Sequence, residues 1–328
     1  MSDGAQFRTP ASDARQISPT RRSFVLGGFC LCCLPGAGPG AFAAEGPWPT
    51  EEIAEGIHVR RGVDEDATKA NADAIANIGF IIGRDGVLVT DPGGSLTDGE
   101  RLRSAIRAKT SLPIRYVVMS HIHPDHIFGA SAFSGDDPVF IGHYRLAEAL
   151  QQRGAYYRGV LAEILGEDRV GSIVAPKMEA RGKSEIDLGD RVIEISAHSP
   201  AHTSTDLSLL DRKTGTLFPA DLLFVGRAPS LDGSLQGWRD VLADLKQTGV
   251  PRAVPGHGPA SVAWPQGAAA LDGYLAVLQR ETEAAVEKNI GIDAAAKSVA
   301  QSERAAWKLF DDYNGRNVIE AYKEIEWR

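Results

Sequence analysis

Between residues 57 and 258, short apolar runs alternate with turn residues and helix-spaced segments. Residues 57–63, 78–82 and 87–90 read as strands, the last two joined by Gly83-Arg84-Asp85-Gly86. Residues 96–108 place Leu102 and Ile106 at helical spacing. Further strands follow at 114–119, 139–141 and 192–195, and 207–210 with 216–218 form a hairpin around residues 211–215. Residues 238–247 are helical, and 253–254 form a short strand that stops at Pro255. Beyond residue 265 the pattern turns helical: one long helix over 266–289, then two or three shorter ones between 295 and 327. This order predicts an α/β layered domain over 44–265 and a helical extension over 266–328 packed on it.

The first 43 residues break that pattern. Thr20-Arg21-Arg22-Ser23-Phe24-Val25-Leu26 is a twin-arginine motif, followed by an apolar run of eleven residues from Phe24 to Leu34. As a helix this run spans only about 16 Å, half a bilayer core, so it is an export signal and not an anchor. Ala41-Phe42-Ala43 supplies an A-x-A cleavage site, with the mature chain starting near Ala44. The expectation is a periplasmic protein, delivered by the twin-arginine machinery and without stable membrane insertion.

Cleavage also changes the chemistry available. Cys30, Cys32 and Cys33 all lie in the leader, so the mature chain has no disulfide, thiolate nucleophile or cysteine metal ligand. The whole chain carries 35 Lys and Arg against 43 Asp and Glu, a net charge of -8. The leader takes a net two positive charges with it, so the mature chain is more acidic still. That balance argues against a nucleic-acid partner.

The strongest chemical signal is Ser120-His121-Ile122-His123-Pro124-Asp125-His126, directly after the strand ending at Met119. His121 and His123 share one face if extended, and the turn at Pro124 lets Asp125 and His126 address a second point. That arrangement suits two metal ions side by side. Imidazole and carboxylate donors fit zinc, manganese or iron.

This H-x-H-x-D-H run resembles the metallo-β-lactamase superfamily, and the remaining motifs occur in order. Asp91, in Val89-Thr90-Asp91-Pro92-Gly93, matches an early Asp-x-Gly element that supports the site. His202 in Pro200-Ala201-His202-Thr203, Asp221 in Pro219-Ala220-Asp221 and His257 in Pro255-Gly256-His257-Gly258 match the later ligands. An alanine stands at 201, where the family usually has glycine. The resemblance implies an αββα sandwich. It assigns His121, His123 and His202 to a first metal and Asp125, His126 and His257 to a second, with Asp221 bridging. His198 competes with His202 for the ligand role, while His58 and His143 read as structural histidines.

By the same resemblance, the cofactors are two divalent ions, zinc foremost with manganese or iron as alternatives. They activate a water for attack on an ester, thioester or amide carbonyl, and Asp125 is the catalytic carboxylate. Asp221 is unlike the cysteine or serine of β-lactamase groups and resembles glyoxalase II-like thioesterases, phosphodiesterases and ribonuclease Z-like nucleases, the last disfavoured by export and acidity. The segment from Leu222 to Trp238 is similar to exported zinc metallohydrolases associated with sulfur oxidation (SoxH-like) and quinoprotein-relay gene groups. It implies a sulfur-linked substrate, either a small molecule or an adduct on a carrier-protein thiol, with Arg227 and Trp238 as pocket residues. A second expectation comes from persulfide dioxygenases of the same superfamily, where the equivalents of His121, His202 and Asp221 hold a single iron, and a third is a β-lactamase-type amide hydrolase.

Overall fold

The computed structural model describes residues 48–328. The expected export signal and cleavage site, within residues 1–44, lie outside the described residues.

Two sheets face each other. The first runs in chain order: β1 (Glu51–Ala54), β2 (Ile57–Arg60), β3 (Ile78–Ile82), β4 (Val87–Thr90), β5 (Ile114–Met119), β6 (Val139–His143) and β7 (Met178–Ala180). Its first four strands are antiparallel neighbours, and β4 to β7 are parallel. The second contains β8 (Lys183–Asp187), β9 (Val192–Ala197), β10 (Leu207–Asp211), β11 (Thr216–Phe224), β12 (Arg252–His257) and β13 (Val262–Ala263), also neighbours in chain order. Only β11 and β12 pair in parallel there.

Strand periodicity explains the layering. On β4, Leu88 points between the sheets, while Val87 and Val89 point outward to helices. On β5, Val118 points inward while Val117 and Met119 point outward. The inner core gathers Ile57, Ile81, Leu88 and Val118 from one sheet against Ile193, Ile195, Leu209 and Phe218 from the other. Outside the first sheet lies the helix Leu96–Lys109, which Ser95 caps by accepting from the Asp98 amide. Outside the second lie the helices Leu235–Lys246, Ala269–Glu287 and Phe310–Glu326, packed in one apolar cluster around Trp238, Tyr274 and Trp307. The fold is the expected αββα sandwich, with the C-terminal helices forming part of its outer layer.

Three element boundaries correct the sequence reading. The strand expected over 57–63 ends at Arg60, and at Gly62 a Cβ would come within 2.0 Å of the Ile75 carbonyl oxygen. The strand expected at 216–218 continues as β11 to Phe224, bulging around Ala220. β12 does not stop at Pro255 but continues to His257. Its neighbour β13 pairs only with Arg252 and Ala253, so the missing Pro255 N–H falls where that side of the ladder has ended. A further element escapes the sequence pattern: residues 146–165 form a near-continuous helix, Leu146–Ala149, a π-helical turn Leu150–Gly154, then Ala155–Leu165.

Candidate metal centre

The chemistry-bearing residues collect where β4, β5, β11 and β12 end on one edge of the sandwich. Asp91 follows β4 with its backbone in the left-handed region (φ 60°). One of its carboxylate oxygens accepts from the Ser120 amide at 2.7 Å, and the other meets His126 Nδ1 at 2.9 Å. His121 and His123 leave β5, and Pro124 opens a short helical turn carrying Asp125 and His126. His202 sits on the β9–β10 loop, Asp221 within the bulged β11, and His257 ends β12. The structure brings all seven predicted ligands together, as one group of His121, His123, His202 and Asp221 and another of Asp125, His126 and His257.

Outer partners fix which ring nitrogen of each histidine faces inward. His202 Nδ1 meets the Ser230 carbonyl oxygen at 2.6 Å, and His257 Nδ1 meets that of Ile75 at 3.0 Å. A carbonyl only accepts, so His202 Nδ1 carries the proton and its Nε2 presents a lone pair; His257 Nδ1 has both the Ile75 carbonyl and the donor-only Arg227 guanidinium at 3.0 Å. Asp91 does the same for His126, and Asp232 holds His123 Nε2 at 3.2 Å, turning His123 Nδ1 inward. The inward atoms of His202 and His123 then face each other as acceptors, and those of His126 and His257 face carboxylates. His202 Nε2 lies 2.9 Å from His123 Nδ1, and His126 Nε2 lies 3.1 Å from Asp221 Oδ1. His257 Nε2 lies 3.2 Å from Asp125 Oδ2 and 3.4 Å from Asp221 Oδ2. His121 Nε2, His126 Nε2 and Asp221 Oδ1 are buried without a hydrogen-bond partner. Opposed lone pairs and carboxylate oxygens in a buried site call for positive charge between them, from protonated imidazole or from bound metal.

The electrostatics agree. Burial opposes a charge on His126 and His257, yet the neighbouring Asp221 carboxylate outweighs it and raises both imidazoles. Burial and His126 hold His121 well below the usual histidine range, and burial with His123 brings His202 down to about 3. The donor set therefore fits two cations, with Asp221 facing members of both groups: His121 and His202 on one side (3.7 and 3.4 Å), His126 and His257 on the other.

Arg227 and Trp238 part company. Arg227 lines the cavity above the site. One arm lies 3.0 Å from His257 Nδ1, and the other donates to Tyr313 Oη on the C-terminal helix at 3.0 Å. Trp238 does not reach the cavity, which corrects its assignment to substrate. Ser234 caps its helix, and one turn on Trp238 faces the sheet, fully buried, its indole donating to the Leu222 carbonyl at 3.1 Å. The ring stands edge-on to His202, centroids 5.1 Å apart, and so supports a ligand from below.

The other histidines are structural. His198 Nε2 pairs with Ser208 Oγ at 2.8 Å, His143 Nε2 donates to the His198 carbonyl, and His58 stacks on Phe80. Sequence reasoning passed over three residues. Asp232 holds both His123 and Arg153, whose Nη1 reaches it at 2.5 Å. Asp73 lines the cavity, buried, with Oδ2 unpartnered; burial, then Asp125, push its carboxyl well above the usual range. Asp232 lay inside the Leu222–Trp238 motif and could have been weighed as a carboxylate for a histidine; Asp73, in Asn71-Ala72-Asp73, carries no pattern at all.

The metallo-beta-lactamase superfamily model matches residues 72–257, more than half of the chain. The chain belongs to that superfamily. A curated relative, the linear primary-alkylsulfatase of Pseudomonas sp. (strain ATCC 19151), is 32% identical over 62 residues, 19% of this chain and 12% of the alkylsulfatase. Among solved structures, the inverting sec-alkylsulfatase Pisa1 from Pseudomonas sp. is 17% identical with a TM-score of 0.62, over 84% of this chain and 49% of that one. The metallo-beta-lactamase from Pontibacter korlensis is 16% identical with a TM-score of 0.54, over 70% of this chain and 95% of that one. At these identities the structural likenesses show the fold. This chain spans about half the length of the sec-alkylsulfatase and far less of the curated relative.

Proposed function

We propose that this protein is a dinuclear-metal hydrolase of the periplasm, acting on an activated acyl or sulfur-linked ester after export through the twin-arginine route. The observation that carries the reading is the convergence of seven histidine and aspartate ligands in two adjoining groups, with the His202 and His123 lone pairs opposed at 2.9 Å. His121, His123 and His202 would hold one ion, Asp125, His126 and His257 the other, and Asp221 both. Zinc is the first expectation for these nitrogen and oxygen donors, with manganese or iron next. Such ions supply Lewis acidity and bring the pKa of a bound water toward neutrality.

The chain's own groups do the rest. Asp125 faces the cavity, where its carboxylate takes a proton from the attacking water and passes it to the leaving group. Asp221 keeps both donor groups in register and tempers their positive charge. Phe224 stacks on His257, centroids 4.9 Å apart, and covers that ligand on its apolar side. The likeness to alkylsulfatases supports extending the linkage from thioesters to sulfate esters, and the SoxH-like segment supports a sulfur-bearing substrate. The aspartate at 221 weighs against a β-lactamase.

The test is metal content by mass spectrometry on protein purified without added metal, paired with an oxygen-electrode trace on glutathione persulfide and a thioester assay. About two metals per chain, thioester hydrolysis and a flat oxygen trace are expected. About one iron per chain with rapid oxygen uptake overturns the reading in favour of a persulfide dioxygenase, the alternative that the Asp221, His121 and His202 grouping keeps open.

A further inference from the structure

The metal centre forms the floor of a cavity of about 720 Å³, and one wall of it is built unlike a solvated surface. The helix Ala155–Leu165 buries Leu161 and Leu165 against the first sheet's outer core. The face flanking this stripe is apolar too, while Gly159 and Glu163 lie opposite it. Tyr156, Val160 and Ile164 recur at four-residue spacing, 70%, 40% and 38% exposed, and all three line the cavity. A surface helix that has buried one apolar stripe normally turns polar residues outward. Extension of the apolar arc onto exposed positions at regular spacing marks a contact surface.

The stripe leads to the metal floor. Tyr157, beside its first residue, stands edge-on to His123 with centroids 6.5 Å apart. Arg153, one turn earlier, lies over the Tyr157 ring at 4.9 Å and binds Asp232, which in turn holds His123. The π-helical turn Leu150–Gly154 just before the stripe breaks the regular helical register, a feature frequent at functional sites. From Tyr156 to Ile164 the stripe runs about 12 Å along the helix, the reach of a medium-length hydrocarbon chain. Ile319 of the C-terminal helix lines the same cavity.

We propose that this stripe binds an unbranched, medium-length acyl or alkyl chain of the substrate while the reacting group sits at the metal floor. The assignment of the reacting group rests on the hydrolase reading; the chain site itself does not. A second copy of the protein is the other occupant an apolar stripe could take. Continuity of this one with a cavity that ends on His123, Asp125 and His257 favours a substrate chain.

The test uses two homologous series on the metal-loaded protein. In the first, kcat/KM is measured for p-nitrophenyl esters from acetate to decanoate. In the second, sodium alkanoates from butanoate to decanoate are titrated calorimetrically, with the same carboxylate throughout so that the slope reports the chain. Both are expected to improve about fourfold per methylene over several carbons, as burial of a CH₂ dictates. Val160→Asn combined with Ile164→Asn, both at exposed positions, should cut the ratio of the longest to the shortest chain at least roughly tenfold in each series. Alkanoate binding independent of chain length, with ester turnover intact, overturns the chain site and leaves the hydrolase standing. Steep alkanoate binding without turnover of any ester keeps the chain site and sinks the hydrolase. A slope that survives the double variant also overturns the proposal, by placing the chain elsewhere in the cavity.

Discussion

In the first half of the chain, four donors come from six consecutive residues, His121 to His126, on the loop leaving β5. In the second half, three donors come from three separate places: a loop, a bulged strand and a strand end. The first set is positioned by local geometry, through the end of β5, the turn at Pro124 and the Asp91 carboxylate that grips both Ser120 and His126. The second depends on sheet register. Asp221 reaches the centre because β11 bulges, with Ala220 in the left-handed region (φ 48°), and because β12 offers a glycine opposite it. Local sets tolerate distant change, whereas register-dependent donors fail when packing beside them moves.

The largest effect that separates the halves should come from Asp221→Ala, which removes the residue facing both donor groups. Metal content should fall for both ions, and hydrolysis by roughly a thousandfold or more. Loss of only one ion, read by mass spectrometry, would contradict a bridging Asp221. Next comes Gly256→Ala, which touches no ligand directly by chemistry. A Cβ there would stand 1.9 Å from Asp221 Oδ1 and 2.8 Å from the backbone of Ala220 and Asp221, so the strand itself must shift. We expect about 1–3 kcal/mol of destabilisation in denaturant melts together with reduced metal content. Gly135→Ala, where a Cβ meets nothing within 4 Å, should change stability by less than about 0.5 kcal/mol.

The same contrast explains what the sequence made legible. The run from His121 to His126 is dense enough to be read unaided, and the apolar strands before it alternate cleanly. His202, Asp221 and His257 are single residues whose partners lie far away along the chain, and only the resemblance to a known superfamily singled them out. Trp238 was misread because a helix start fixes a side chain's direction only once the helix has a sheet to pack on. The helix at 155–165 hid for another reason: its apolar arc is about half the circumference wide, from exposed Tyr156, Val160 and Ile164 to buried Leu161 and Leu165, so no narrow core stripe stands out. Asp232 had no visible purpose until the fold placed it against His123.

Outer carboxylates sharpen the comparison at a smaller scale. Asp91→Ala should weaken the ion held by Asp125, His126 and His257, and Asp232→Ala the ion held with His123. Each loss should be about 10- to 100-fold in metal affinity, measured by competition with a chelator. If each variant weakened both ions equally, the two donor groups would be one coupled site.

The smallest expected effect concerns pH and the loop that carries His202. Burial holds His198 neutral with its pKa down at about 4, against 6.5 when exposed. Between those values the unfolded chain binds the extra proton, so this residue's contribution to stability is present above about pH 6.5 and is lost as pH falls toward 4. Asp206 acts in the opposite sense. Burial raises its pKa to about 7 from 3.8 although Thr203 donates to both carboxylate oxygens, so its contribution is present below about pH 4 and declines as pH rises toward 7. In metal-free protein, melting temperature against pH should therefore fall less steeply on the acid side in His198→Asn. In Asp206→Asn, the decline on going from about pH 4 to 7 should be the part that flattens. The two windows overlap, so the wild-type curve alone cannot separate them, but the difference of each variant from wild type must carry opposite slopes. Slopes of the same sign would mean that Asp206 is ionised in the fold, with the Thr203 hydrogen bonds outweighing its burial.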